Sequence, residues 1–353
     1  MSEVAAAVRL DWERAAAANC VPLALSDLEL WHASGLGPGS ALCVIHDGQE
    51  KLVGGFAVQR WPSRALPGHC ILRVDRLGES IPAGAEPATA EALLALARRT
   101  PRVLRVVAEL HDRDAARRAR IAGALQVSGF YRQDQVRAYE RTLAIDLQRD
   151  DEALLGSFSS RARQEIRRAE RFPLSVITIE DDALAPQLEE IHRETYARTG
   201  ARAPALPWAR LAAAARKAPD RLRICGVMLN DVSTVPRLVS YALVLRHGTF
   251  AVYDAAASTR LVDRRIPLMY PAIWALMRWA RDTGATWFDF GGVTDGTSKC
   301  ANDPLGGISD FKRKFGGEDL VVGEDWHFDA APRRQRLAQS VSRMLTLLKP
   351  DRK

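Results

Sequence analysis

The chain has 353 residues, 47% of them apolar and 26% charged, the make-up of a globular protein long enough for two domains. No apolar run approaches the ~20 residues of a membrane span, and the N-terminal stretch MSEVAAAVRLDWERAAAA lacks the basic head and apolar core of a signal peptide. The net charge is +7, with Arg far exceeding Lys, and such a balance favours polyanionic partners.

The first 40 residues predict two helices, around Asp11 to Ala18 and from Ser26 to Ala33, the second with a Ser26/Glu29 capping box. Ala41 to His46 and Lys51 to Arg60 read as strands joined by an Asp47-Gly48 turn. A strand near Cys70 to Val74, a helix over Glu86 to Arg99, a buried strand over Val103 to Leu110 and a helix over Asp114 to Val127 follow. Arg137 to Leu147 is expected to close this half as an extended segment.

The second half opens with an N-capping serine run, Ser157 to Ser160, and the helix RARQEIRRAER. Its apolar stripe is Ala162, Ile166 and Ala169, while Arg163, Arg167 and Arg171 share one polar face. A strand over Leu174 to Ile179, a helix ending near Arg198 and a short helix over Trp208 to Ala218 lead to three strands. These are Leu222 to Leu229, Arg237 to Leu245 and Thr249 to Ala256, with a loop beginning at Asn230-Asp231 after the first. Pro267 then opens a mostly apolar helix, PLMYPAIWALMRWARD, and Trp287 to Phe290 is a short strand with one acid, Asp289, inside it. Gly291 to Gly307 is a loop, and Ile308 to Phe315 carries Lys312, Arg313 and Lys314. Glycines after a strand open backbone amides to whatever approaches.

The two halves echo each other: a meander of strands, an apolar helix, a strand. We therefore expect an α+β protein made by internal duplication, with domains at 1–147 and 148–330 and a basic C-terminal helix at 331–353. That tail has seven Lys/Arg against one acid, with Leu337, Val341, Met344, Leu345 and Leu348 on roughly one side. It is expected to dock on the protein or to lie on a membrane. The five cysteines (Cys20, Cys43, Cys70, Cys225, Cys300) form no CxxC pair and read as core thiols of a reducing cytoplasm. No metal site is expected.

No Walker loop, GxSxG elbow, HExxH or strand-linked GxGxxG occurs. The order of elements is that of GNAT-type N-acyltransferases. In that fold a Gly-rich loop after the central strand grips the coenzyme A pyrophosphate through bare amides. Here the corresponding loop, STRLVDRRI over Ser258 to Ile266, has three arginines and no glycine.

Five pieces of the second half resemble, in order, the Fem family of peptidoglycan-bridge aminoacyltransferases, which are doubled GNAT-like proteins. The pieces are SFSSRARQEIRRAER, ETYARTGARAP, VYDAAAS, FDFGG and GISDFKRKFGG. The long inserted coiled coil of some members is absent, so the resemblance implies the compact form with two tandem GNAT-like domains. It also implies transfer from aminoacyl-tRNA to an amine of a peptidoglycan precursor or peptide-like acceptor, without cofactor, by a monomer. Acyl-CoA as donor, or a non-catalytic RNA- or glycan-binding role, are the alternatives. By resemblance Lys312 sits at the aminoacyl ester, with Asp289 orienting it or the incoming amine. Arg198 and Tyr253, joined by Arg260, Gly291 and Gly292, are expected to bind substrate. The Arg163/Arg167/Arg171 face and Lys314 fit backbone contacts to tRNA.

Overall fold

The computed structural model describes residues 6–7, 41–46, 52–136, 139–198, 203–230, 236–262, 265–296, 303 and 305–347. The two helices expected before residue 34, the Asp47-Gly48 turn, Asp231, Cys20, Cys300 and the last six residues lie outside them. By contacts the chain forms two units, Met1–Glu140 with Val322–Lys353, and Arg141–Val321.

The first unit holds β1 (Ala6–Ala7), β2 (Ala41–His46), β3 (Leu52–Pro62), β4 (Cys70–Leu77), α1 (Glu86–Arg99), β5 (Val103–His111), α2 (Ala115–Val127) and β6 (Tyr131–Arg132). The second holds β7 (Arg141–Asp146), α3 (Asp151–Ser157), α4 (Ser160–Ala169), β8 (Leu174–Thr178), α5 (Ala185–Arg198), α6 (Trp208–Lys217) and β9 (Leu222–Leu229). It continues with β10 (Arg237–His247), β11 (Phe250–Ser258), α7 (Met269–Asp282), β12 (Trp287–Gly292), α8 (Gly306–Arg313) and β13 (Glu318–Val321). The chain then returns to the first unit with β14 (Gly323–Phe328) and α9 (Pro332–Leu347).

Each unit is built on one seven-stranded sheet, ordered β1-β2-β3-β4-β5-β14-β6 and β13-β7-β12-β11-β10-β9-β8. Each sheet is antiparallel except for one parallel pair, β4 with β5 and β11 with β12. A parallel pair needs a crossover connection, and α1 and α7 supply it. The echo read in the sequence is thus a duplicated βαβ element inside two meanders.

The expected boundaries at 147 and 330 are corrected by the topology. Arg141–Asp146 was expected to close the first half, but it pairs with β12 and β13 in the second sheet. Gly323–Phe328 pairs with β5 and β6 in the first. The strand beside each unit's parallel pair comes from chain that precedes it in the second unit and follows it in the first. Nothing local to a six-residue strand encodes which sheet it joins.

The second unit's core is dense because its central strands are apolar on both faces. All of β10 but its first residue is buried, and α7 lays Ala272, Ile273, Leu276, Met277 and Ala280 among the buried side chains of that core. Pro267 precedes α7 by two residues instead of opening it. Cys43, Cys70 and Cys225 are buried free thiols, and burial pushes Cys43 and Cys225 up to about 12. The longest helix among the described residues has 16 residues, so none forms a coiled-coil arm.

Gly316 and Gly317 turn the chain from α8 into β13 at φ 72° and 91°. A Cβ on Gly316 would lie 2.5 Å from the Ser157 carbonyl oxygen. Gly316→Ala should therefore lower the unfolding free energy by about 2 kcal/mol or more. Gly123→Ala, in the interior of α2 with nothing within 4 Å of the new Cβ, should raise it by about 0.5–1 kcal/mol. Urea melts of the two variants measure both.

Candidate active site

β11 and β12 run side by side only from Phe250↔Trp287 to Val252↔Asp289. β11 continues along β10 to Ser258↔Ser240, while β12 turns away through a bulge against β7 between Asp289 and Gly292. The ladder between the two central strands therefore ends at Asp289, and the strand ends beyond that last pair form the notch.

Asp289 holds that point. Its side chain is fully buried, and its Oδ1 accepts the Gly291 N–H at 2.8 Å and the Thr142 hydroxyl from β7. The Gly291 carbonyl oxygen lies 3.1 Å from the same hydroxyl. Gly291 takes φ 76°, which glycine reaches without strain. Its N–H is thus turned inward, which corrects the expectation that this glycine offers an amide to a ligand. Asp289 has no exposure to solvent.

Lys312 comes from α8. It is 9% exposed, and Nζ donates to the Gly292 carbonyl at 2.7 Å, leaving two N–H bonds unspent there. Burial draws its pKa down from 10.5 to about 8, against the opposing pull of the Asp289 carboxylate. At neutral pH it is mainly an ammonium, held in low dielectric beside the parted strands. Phe315, fully buried one turn on, anchors α8 by stacking on Tyr270 and packing against Phe290 and Phe158. That anchor fixes where the lysine arrives.

Tyr253 follows the last β11–β12 pair. It is half-buried, its ring 5.0 Å from Phe290, and burial raises its phenol far above the ordinary value. A Cβ on Gly291 would meet the Tyr253 carbonyl oxygen at 3.3 Å and Lys312 Nζ at 3.5 Å. Tyr253, Gly291 and Lys312 are therefore neighbours at the mouth of the notch.

A cleft of about 520 Å³ lies between the loop after β11, the start of α7, α4 and α8. Arg260, Arg265, Arg161, Arg168 and Lys314 line it, with Glu165 the one acid among the described residues of its lining. Glu165 is 5% exposed and is paired with Arg161 at 2.5 Å and Arg168 at 3.3 Å. The rest of the lining is apolar or hydroxyl-bearing and includes Ser258, Thr259, Met269, Tyr270 and Phe311. Among the described residues no side-chain hydrogen bond caps the N-terminus of α7. In the first unit the residues before α1 are used up locally: Glu86 accepts the Gly84 N–H at 2.6 Å and pairs with Arg120.

Arg198 ends α5, exposed, outside the cleft lining. Partial burial and the charge of Arg260 lower its pKa, while Glu194 opposes both. Glu194 also accepts the Arg260 N–H at 2.9 Å, so Arg198 and Arg260 form one basic group. The expected Arg163/Arg167/Arg171 face is corrected at its first member: Arg163 donates to the carbonyls of Gly156 and Phe158 and caps α3. Arg167 is exposed on α4, while Arg171, also exposed, lies two residues past the end of that helix and so is not on the expected helical face.

Sequence reasoning missed Thr142, Arg161 and Arg168. For the arginines a signal existed. Glu165 adjoins the apolar stripe of α4, and an acid at a core edge needs a cation at i−4 or i+3. Thr142 had none, because its role depends on which sheet β7 joins.

Residues 156–313 match the family model of the acetyltransferase (GNAT) domain. The structure of FemX shares the fold at 15% identity, over 85% of this chain and 90% of that one, with a TM-score of 0.70. The chain has a Fem-like fold of two tandem GNAT domains. Two further structures align with TM-scores of 0.51: the C-terminal domain (DUF2156) of a putative lysylphosphatidylglycerol synthetase from Agrobacterium fabrum and L-PGS from Bacillus licheniformis. The first is 12% identical over 86% of this chain and 89% of that one, the second 11% over 88% and 90%. No curated protein matches the sequence. In this Fem-like fold the notch and cleft both belong to the second GNAT domain.

Two outcomes are expected. Thr142→Val leaves a buried carboxylate short of one donor and should cost about 1–3 kcal/mol of stability, with Thr142→Ser restoring most of it. Lys312→Met should do the opposite. The folded pKa lies below the unfolded one, so Lys312 destabilises the fold at neutral pH, and the penalty fades as pH rises from 8 towards 10.5. Removing the ammonium should raise stability at pH 7 by about 1–3 kcal/mol, read by urea melts at pH 7 and at pH 10.

Proposed function

We propose that this chain is an aminoacyltransferase that takes its acyl group from aminoacyl-tRNA and delivers it to an acceptor amine, forming an amide. The carrying observation is the arginine-lined cleft beside the lysine-bearing notch. A coenzyme A pyrophosphate is ordinarily gripped by bare amides at a glycine-rich turn. This loop has no glycine, and its cations stand on side chains. Flexible guanidinium groups suit the irregular phosphates and bases of a single-stranded RNA end better than a compact pyrophosphate.

In this reading the amine nitrogen attacks the ester carbonyl carbon and a C–N bond forms. The bond from that carbon to the ribose oxygen breaks, the amine loses a proton and the ribose hydroxyl gains one. The ester is already activated, so no nucleotide hydrolysis enters. The Lys312 ammonium stabilises charge on the attacked carbonyl or the departing ribose oxygen, and Gly292 fixes its aim. Thr142 and Asp289 hold the strand end that carries Gly292. Arg198 with Arg260 grips an anionic group of the acceptor, which by this reading is a peptidoglycan precursor or another peptide-like amine.

An acyl-CoA N-acyltransferase is the second reading, favoured by the GNAT domain match over residues 156–313. A coupled assay with charged tRNA and purified acceptor separates the two. Amide formation that survives ribonuclease and requires acyl-CoA would sink the tRNA reading. Lys312→Ala should reduce kcat by about 10²–10³. Because the ammonium is the active form, kcat should fall as pH rises through about 8. Lys312→Arg should lose that falling limb, since its charge persists.

A further inference from the structure

Helix α9 is seated on the first unit by a face different from its apolar stripe. The Ala331 N–H donates to the Leu104 carbonyl of β5, and Gln335 and Ala338 are the buried positions among residues 332–344 of the helix. Leu337 and Met344 face solvent at 54% and 62% exposure. At 3.6 residues per turn these two lie within about 20° of each other and about 100–120° from Ala338. Single exposed apolar side chains are ordinary on protein surfaces. The charge around this pair is not: Arg333, Arg334, Arg336 and Arg343 are all exposed, and the helix has no acid. Arg333 shares the Leu337/Met344 face, Arg336 and Arg343 border it on one side, and Arg334 borders it on the other.

An anionic bilayer satisfies both parts of an apolar strip flanked by arginines. The strip sinks to the level of the lipid headgroups and the guanidinium groups pair with lipid phosphates. RNA would use the arginines and leave Leu337 and Met344 with nothing to cover them. Among the described residues no helix is long and apolar enough to cross a membrane, so the contact is one within the plane of the surface.

We propose that α9 docks the protein on anionic membranes, lying in the interface with Leu337 and Met344 inserted and Arg333, Arg336 and Arg343 on lipid phosphates. This does not depend on the identity of the acyl donor.

The test is sedimentation of the full-length chain with vesicles of phosphatidylcholine alone and of equimolar phosphatidylglycerol and phosphatidylcholine. Binding to the anionic vesicles is expected, weakening with salt, and little or none to the neutral ones. The exposed pair Leu337→Asn with Met344→Asn should lower affinity about tenfold or more. Arg336→Gln with Arg343→Gln should lower it about 25-fold, at roughly fivefold per charge. Urea melts superimposable on the unaltered protein's exclude unfolding as the cause. Absence of binding to anionic vesicles overturns the proposal. So does unchanged vesicle affinity in the Leu337/Met344 variant. If the arginine variant instead loses affinity for tRNA while the apolar variant binds vesicles as before, α9 is an RNA contact and the proposal fails.

Discussion

A carboxylate with no exposure to water must be neutralised or ringed with donors, and the centre of the second domain is arranged around that requirement at Asp289. Two of the groups that donate to it, the Gly291 N–H and the Thr142 hydroxyl, come from the bend of its own strand and from the neighbouring strand. Satisfying the acid therefore requires β12 to bulge, and the bulge requires a residue at φ 76°. Once β12 bends, it leaves β11 after three ladder pairs and the notch exists. The same negative charge favours the ammonium of Lys312 as its neighbour, against a burial that disfavours it. One buried acid thus links sheet geometry, glycine placement and the electrostatics of the lysine.

Lys312 works against the stability of the fold that holds it. A protonated amine in low dielectric is unfavourable, and a single carbonyl contact offsets only part of that. The aromatic cluster around Phe315 compensates, tying α8 to β12, α7 and α3. Strain of this kind, held in place by surrounding packing, is what a preorganised electrostatic site requires. It also explains the paired glycines after Phe315. The chain must reverse directly behind the anchor, where a Cβ would meet the backbone of Ser157 or Ala144.

The duplication divided the labour between the domains. Both keep the parallel pair and its crossover helix, but the residues beside the end of that pair are used differently. In the first, Glu86 occupies the Gly84 amide before α1, and Gly54 and Gly78 receive the loop backbone so closely that a Cβ there would lie 2.1 Å from Ser80 and 2.3 Å from His111 carbonyl oxygens. In the second, arginines line the corresponding region.

Much was legible in the sequence because it is local. Hydrophobic period and turn residues were enough to identify most strands and helices of both repeats, and the FDFGG and FKRKFGG pieces singled out Lys312 and its glycines. The order of elements alone was enough to imply the duplication. What the sequence could not supply is which distant pieces meet. A short apolar strand is compatible with either sheet, so only tertiary pairing decided that Arg141–Asp146 belongs with β12 and Gly323–Phe328 with β5. Thr142 acquires its role solely from that pairing. Arg163, an open cation by helical spacing, is spent on the carbonyls that end α3, while Arg161 and Arg168 are brought to the cleft by Glu165. Charge and spacing belong to the sequence; the partner each charge finds is decided by packing.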